Sequence, residues 1–492
     1  MHDLKEKTIR GGFAKVCSQA ANFVLRTGSL MILARILGPR DFGLVGMVTA
    51  VIGVLNLFKD LGLSTASVQS ATITDEQIST LFWINMLVGG VLGLLSAIFA
   101  PALAAFYREP RLVWVTVVLA SSFLFNAAGV QHSALLQRQM RFTAMAVIET
   151  LSFLASAAVG ISMAFAGYGY WALVGSTIVT PLVYSLCVWL ATAWIPGPPR
   201  KQAGVRSMMR FGGTLTLNGL VMYAATNLDK VLLGRFWGVD AVGIYGRAYQ
   251  LVNIPTDNLN SAAGGVVFAA LSRLQHDPLR LKSYFLKGYS LVLALTLPIT
   301  VACALFANDM ILVLLGPKWT DAVPIFRLLA PTILIFAITT PLAWLLGSIG
   351  LVGRILKISL VVSPLIVVGY FFGLPYGPTG VAFAYLTVMT LWLVPHIAWC
   401  VHGTVISFRD ILLVVSRPLA SSIVAGGLAW GVRLSYGYSL SPLPRFALEG
   451  TVLFLIYAVM LLFVAGQKSL YLDLYRGLKA PAAVKGEGLV SA

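Results

Sequence analysis

The stretch NLDKVLLGRFWGVDAVGIYG, Asn227 to Gly246, sets Asp229 and Lys230 in an apolar run and then spends four glycines in its last thirteen residues. Two hundred residues earlier stands ARILGPRDFGLVG, Ala34 to Gly46. Arg35 aligns with Arg235, Gly38 with Gly238, Gly43 with Gly243 and Gly46 with Gly246. Arg10, Gly12 and Leu33 also find their match at the offset of 200. Seven identities in 37 positions are few, but the shared R-x-x-G-x-x-x-x-G-x-x-G spacing marks a duplicated unit. Glycine serves such a unit in two ways: it accepts positive φ in a tight turn, and it lets helices approach closely.

The rest of the chain says what is duplicated. Of its 492 residues, 58% are hydrophobic and only 11% charged, with a mean hydropathy of +0.86. A water-facing domain carries about 25% charged residues. This chain is read as a polytopic membrane protein. Fourteen stretches reach the ~20 apolar residues a helical span needs. They lie near 11–35, 42–64, 78–100, 112–130, 143–165, 169–194, 211–234, 240–266, 284–306, 322–347, 355–373, 378–400, 412–434 and 446–466. Every connection is short, and no soluble domain interrupts them.

An even number of spans puts both termini on one side, and Lys and Arg decide which. With the termini cytoplasmic, 22 of them fall on the inner face. Ten fall outside: Arg35, Arg40, Arg108, Arg111, Arg235, Arg247, Lys318, Arg327, Arg433 and Arg445. Arg26, Lys59 and Lys230 are left in mid-span. The bias predicts termini inside and accounts for the net charge of +17 without a nucleic-acid partner; basic loops facing an anionic leaflet suffice. The N-terminus lacks the compact apolar core and small-residue site of a cleaved signal peptide, so the first helix is expected to stay. Cys17, Cys187, Cys303 and Cys400 are scattered in apolar stretches and show no metal-ligand or CxxC spacing. No cofactor or metal is expected.

Six spans separate the two copies, so both insert with the same orientation. The expected fold is all-α, with about fourteen transmembrane helices in two parallel, pseudo-symmetric six-helix lobes, residues 1–196 and 197–402. Residues 403–492 add spans 13 and 14 and a cytoplasmic tail. Transporters of parallel-repeat design hold substrate between the halves and rock one against the other.

Ionisable groups at mid-bilayer cost about 2.5–3.5 kcal/mol on insertion scales and mark polar cavities. Lys15, Gln19, Asn22 and Arg26 form one stripe on span 1 at i, i+4, i+7, i+11. Span 2 carries Thr49, Asn56, Lys59 and Asp60, span 7 Tyr223, Thr226, Asn227, Asp229 and Lys230, and span 8 Asp257 just after Pro255. These four spans are expected to line one hydrated cavity. Arg26, Lys59, Lys230, Asn22 and Asn227 are the candidate contacts to an anionic substrate; Asp60, Asp229 and Asp257 are candidate coupling-ion sites. Arg26 has no acid at i±3 or i±4, and its planar fork suits a phosphate or diphosphate. Adjacent helix residues point ~100° apart, so Asp229 and Lys230 do not face each other as an ion pair. QHSALLQRQMRF, from Gln131 to Phe142, reads as an amphipathic helix resting on the inner surface.

The chain resembles the Wzx-type polysaccharide exporters, in particular the colanic-acid and succinoglycan branch, within the superfamily that also holds multidrug and toxin extruders and the lipid II flippase. The resemblance spans nearly the whole chain. It is carried by LARILGPRDFGLVGM, ALLQRQMRFTAMAVIE, GYGYWALV, NLDKVLLGRFWG, FAALSRLQHD and LGPKWTDAVPIFRLLAP. It implies movement of an undecaprenyl-diphosphate-linked oligosaccharide to the outer leaflet of a bacterial inner membrane, by alternating access and without enzymatic chemistry. In related flippases cavity arginines engage the diphosphate, a role for which Arg26 lies in the right helix. A polysaccharide polymerase and other assembly proteins are candidate partners. A drug extruder on the same scaffold is the alternative, and it would be expected to show an acidic lumen. A membrane polymerase or ligase needs a sizeable outer loop, and the outer loops here are short. The five histidines form no motif, and no Walker sequence is present.

Overall fold

The computed structural model describes residues 2–58, 67, 73–200, 206–436 and 439–468; for 2–17, 20, 206–222, 224, 258–263, 265, 266 and 269 it gives the course of the backbone alone. Lys59 and Asp60 lie outside the described residues. Among those described, the chain is helical and contains no strand. The helices are α1 (His2–Ile36), α2 (Pro39–Asn56), α3 (Asp75–Tyr107), α4 (Leu112–Ala120), α5 (Ser122–Arg138), α6 (Phe142–Phe165), α7 (Trp171–Thr192) and α8 (Arg206–Arg273). There follow α9 (Pro278–Leu305), α10 (Ala307–Leu314), a 3-10 turn Pro317–Trp319, α11 (Ala322–Leu329) and α12 (Pro331–Ser348). The chain then continues through α13 (Val352–Gly373), a second 3-10 turn, α14 (Gly377–Val401), α15 (Phe408–Tyr436) and α16 (Pro442–Val459).

Nine stretches among the described residues are long and apolar enough to cross a membrane. One of them, Val352–Val401, joins α13 and α14 and is long enough for two crossings. The helix α8, broken at Gly238, and the helices α1 and α2 stand outside those nine, and with them the number is roughly consistent with the fourteen expected. The helices outside the nine are those that carry the polar stripes.

The chain divides into two compact units, Met1–Gln250 with Leu314–Ile325 and Leu356–Val388, and Leu251–Val313 with Phe326–Ile355 and Met389–Ala492. The duplicated glycines lie inside the first. A Cβ on Gly43 would stand 1.9 Å from the carbonyl oxygen of Val239, and one on Gly243 would stand 1.9 Å from that of Pro39. The two copies therefore clasp each other: each glycine receives the main chain of the other copy, at positions related by the same offset of 200. Only one turn uses the left-handed region. Gly238 has φ +83°, whereas Gly38 is extended at φ −99° and donates its N–H to the Asp41 carboxylate at 3.0 Å, which starts α2. Close approach is the use common to both copies.

The segment Pro317–Trp319 closes the end of α1. Trp319 Nε1 donates to the Ala34 carbonyl at 2.8 Å and Lys318 Nζ to that of Ile36 at 2.9 Å. Such terminal carbonyls have no partner within their own helix. Trp319 is fully buried against Phe42. Elsewhere in the unit, α6 packs on α1 and α7, and the Ser18 hydroxyl ties α1 to the Ala146 carbonyl at 3.0 Å.

The stretch Gln131–Phe142 is not a separate surface helix, as its amphipathic pattern suggests. It is mostly the last turns of α5, in which Gln131, His132 and Leu136 are buried. Leu136 packs with Ile148 and Val188. His132 stacks on Trp189 at 4.3 Å, and Arg141 donates to the Ala191 carbonyl at 2.7 Å. Its apolar face meets α6 and α7 rather than the bilayer surface.

The second unit is built on α9, which packs against α12, α15 and α16. Its apolar layers include Ala302, Phe306, Ala429 and Leu453. Four charges join the C-terminal hairpin to this core. Asp309 is fully buried and accepts from Arg445 Nε at 2.9 Å; Arg433 Nη1 stands 3.1 Å from Asp309 and 3.5 Å from the buried Glu449. Both arginines belong to the ten counted on the outer face, and the structure sets each beside a carboxylate.

Two outcomes are expected in thermal unfolding of the purified protein. Gly43→Ala and Gly243→Ala should each lose at least the ~1–3 kcal/mol typical of overpacking, because the obstacle is backbone. Gly28→Ala, with nothing within 4 Å, should hold its stability. Arg445→Ala should be destabilising, by less than the ~3–5 kcal/mol of a fully stranded buried charge because Arg433 stays 3.1 Å from Asp309, and the double change Arg445→Ala with Asp309→Asn should recover part of it.

Candidate anion-binding cavity

The first unit contains a cavity of about 290 Å³ with walls from α1, α2, α6, α7 and α8. Two arginines line it, Arg26 from α1 and Arg247 from the second arm of α8. The remaining lining residues are apolar or neutral, among them Ser29, Ser176, Thr177, Thr180 and Gln250; none is an Asp or Glu.

Each guanidinium is seated on an aromatic face. The Arg26 Cζ stands 5.0 Å from the Phe153 ring centroid, and Arg247 Cζ 4.5 Å from that of Phe42. A ring face attracts the cation without using its N–H groups. Arg247 Nε is buried and has no hydrogen-bond partner. A buried donor left unmet costs about 1–3 kcal/mol, and more when the group is charged. An anion with several acceptor oxygens removes that cost.

The hydroxyl groups are oriented by their own helices. Ser176 and Thr177 donate to the Leu173 carbonyl at 2.9 and 2.8 Å, and Thr180 to that of Ser176 at 3.2 Å. With their protons committed, their oxygens are left to accept. Arginine N–H groups that donate and hydroxyl oxygens that accept together suit an anion carrying its own hydroxyl groups.

Arg26 is thus where a cavity arginine was expected, and Arg247 is the residue sequence reading missed. It had been counted among the outer-face charges of the loop. The signal that could have found it is its place fully inside the eighth apolar stretch. Asn22, one turn before Arg26, is buried and donates to the Ser18 hydroxyl at 3.3 Å, with Oδ1 unmet.

Asn227, Asp229 and Lys230 do not line this cavity. Lys230 Nζ donates to Asn227 Oδ1 at 2.8 Å and lies 4.9 Å from the Tyr249 ring centroid. Asp229 is fully buried; its Oδ1 accepts the Lys230 backbone N–H at 2.7 Å, and its Oδ2 has no partner. As expected, its carboxylate meets the backbone of Lys230 rather than the ammonium. The buried rings of Tyr245, Tyr370 and Tyr385 extend the cluster through Tyr249. Asp257 belongs to the second unit, where it is exposed. No group of His, Cys, Asp and Glu able to hold a metal occurs among the described residues.

The fold defines a multi-pass membrane protein. The family described as polysaccharide biosynthesis protein matches residues 32–324, and the chain belongs to it. It is 27% identical over 400 residues to the lipopolysaccharide biosynthesis protein WzxC of Escherichia coli (strain K12), covering 79% of this chain and 80% of that one. It is 26% identical over 315 residues to the succinoglycan biosynthesis transport protein ExoT of Rhizobium meliloti (strain 1021), 64% of each chain. Among solved structures, the lipid II flippase MurJ in an inward closed conformation superposes with a TM-score of 0.75 at 14% identity. That match covers 94% of this chain and 100% of the other. An inward-facing multidrug resistance MATE family transporter gives 0.63 at 13% identity, over 77% of this chain and 93% of the other. The fold is accordingly the all-helical fold of those solved structures.

Inorganic pyrophosphate should bind the purified protein in detergent, measured by calorimetry. Arg247→Gln should weaken binding at least about tenfold, the effect of removing one charge-assisted hydrogen bond of ~1.5–3 kcal/mol.

Proposed function

We propose that this protein moves an undecaprenyl-diphosphate-linked oligosaccharide, a precursor of cell-surface polysaccharide, across a bacterial inner membrane. The observation that carries this reading is a cavity with two arginines and no acidic lining residue, in a chain of the polysaccharide biosynthesis family. WzxC and ExoT, whose names concern lipopolysaccharide and succinoglycan, support the same cargo class. A diphosphate would sit between Arg26 and Arg247, with sugar hydroxyl groups donating to the Ser and Thr oxygens of α7.

The 22-to-10 distribution of Lys and Arg supports cytoplasmic termini, and hence a path from the inner to the outer leaflet. In this reading, residues 1–196 and 197–402 exchange inward- and outward-open arrangements while the prenyl chain stays in lipid. No covalent bond needs to form or break. With the inside negative, outward movement of the two diphosphate charges gains about 4–5 kcal/mol at 100 mV, from ~2.3 kcal/mol per charge. Asp229, buried with one carboxylate oxygen unmet among tyrosines, is the site best suited to take up a coupling proton or sodium ion. Lys230 and Asn227 hold each other beside it and would fix its surroundings.

The test is polymer export in a strain that depends on this protein, at matched protein levels. Arg26→Ala and Arg247→Ala should each lower export at least about tenfold, with Lys at either position retaining part of it. Normal export by both alanine variants, or energy-dependent drug efflux that both still support, overturns the reading.

A further inference from the structure

A second cavity of the first unit takes no part in the function above. It measures about 480 Å³ and lies among α2, α3 and α4, with Val51, Leu55, Phe99, Leu103, Phe106 and Thr116 in its wall. The wall is apolar but for two hydroxyl groups. The first, on Ser96, donates to the Leu92 carbonyl at 2.7 Å. The second, on Thr116, belongs to a residue only 2% exposed, and its oxygen has no partner. Phe99 and Phe106 are 63% and 43% exposed, so the slot opens sideways, toward what is lipid in a membrane protein.

Beside its wall residue Phe106, outside the lining residues themselves, stands a cation. Arg235 Cζ stands 5.5 Å from the centroid of the Phe106 ring. No carboxylate pairs with Arg235 among the described residues, and the nearby Glu109 is taken up by Arg111 at 2.8 Å and by Arg40 at 3.9 Å. That contact with Arg111 holds the Glu109 carboxyl below its usual range. The guanidinium beside Phe106 is therefore unneutralised among the described residues.

The dimensions select the occupant. From Ser96 to Phe106 the wall runs ten residues of α3, about 15 Å at the helical rise of 1.5 Å. That is half of a ~30 Å hydrocarbon core, the depth of one leaflet. Thr116 lies about 6 Å in from the start of α4, four residues at the same rise. Cation, hydroxyl donor and apolar slot follow one another in the order phosphate, ester carbonyl and acyl chain.

We propose that this slot binds one acyl chain of an anionic bilayer phospholipid, its phosphate on Arg235 and its ester carbonyl accepting from Thr116. The lipid is a bound cofactor-like ligand of the first unit, distinct from the transported cargo. It sits across the outer faces of three helices and ties them together.

The full-length protein is purified in detergent containing equal amounts of dioleoylphosphatidylglycerol and dioleoylphosphatidylcholine, and retained lipid is read by native mass spectrometry. The natural chain should retain phosphatidylglycerol over phosphatidylcholine by about fivefold, the worth of one cation facing an anionic headgroup. Arg235→Gln should bring the ratio to about one. Ala102→Trp, which fills the slot from its exposed side, should abolish retention of both lipids without shifting the melting temperature in lipid-free detergent. Equal retention by the natural chain, or an unchanged preference in Arg235→Gln, overturns the proposal. So does displacement of phosphatidylglycerol by equimolar polyprenyl phosphate, which would assign the slot to the cargo's own tail.

Discussion

The first unit depends on a contact in which two helices come close enough for main chain to touch main chain. Gly43 meets the Val239 carbonyl and Gly243 meets that of Pro39. Between membrane helices there is little hydrophobic drive to associate, because lipid is as apolar as the side chains it replaces. Intimate packing has to do that work, and a missing Cβ permits it. The crossing also sets where α2 and the second arm of α8 run. Phe42 precedes Gly43 and Arg247 follows Gly243 by one turn, and it is these neighbours that meet face to ring in the cavity wall. The duplicated spacing and the site are thus consequences of one close approach.

The cavity solves a problem of holding cations in a medium that disfavours them. A carboxylate partner would neutralise a guanidinium and leave nothing for a ligand. Phe42 and Phe153 instead offer the faces of their rings, which stabilise the charge while its edge stays available. The second unit shows the opposite arrangement. There Arg433 and Arg445 are met by Asp309 and Glu449, and their charge is spent on joining the C-terminal hairpin to α9 and α10. The same residue type rests on aromatic rings in one unit and is paired with carboxylates in the other.

The helical membrane fold, the glycine spacing and the place of Arg26 in a cavity wall were legible in the sequence because each rests on local pattern: length of apolar run, spacing of glycines, one charge on one helix. What escaped rests on contacts between distant segments. Arg247 sits close to a turn in sequence and was taken for a loop charge; only packing against Phe42, about two hundred residues away in the chain, turns it inward. Nor does the sequence show the pairing of Arg433 and Arg445 with Asp309, which lies in another helix. The amphipathic pattern of Gln131–Phe142 was read correctly as two-faced, but a protein interior and a bilayer surface ask for the same pattern. Among the described residues, Arg26 and Asp229 stand in two neighbourhoods, and Lys59 and Asp60 lie outside those residues.

The reciprocal glycines also bear on how this protein can change over generations. Where a Cβ would meet a side chain, a second substitution can make room: at Gly53 the obstacle is the Tyr223 hydroxyl, and a smaller residue at 223 would clear it. At Gly43 and Gly243 the obstacle is a carbonyl, present whatever amino acid stands at 39 or 239. No compensating replacement exists on the facing strand of chain. Suppressor screens begun from either alanine variant should return true revertants, or backbone insertions and deletions, in place of partner substitutions.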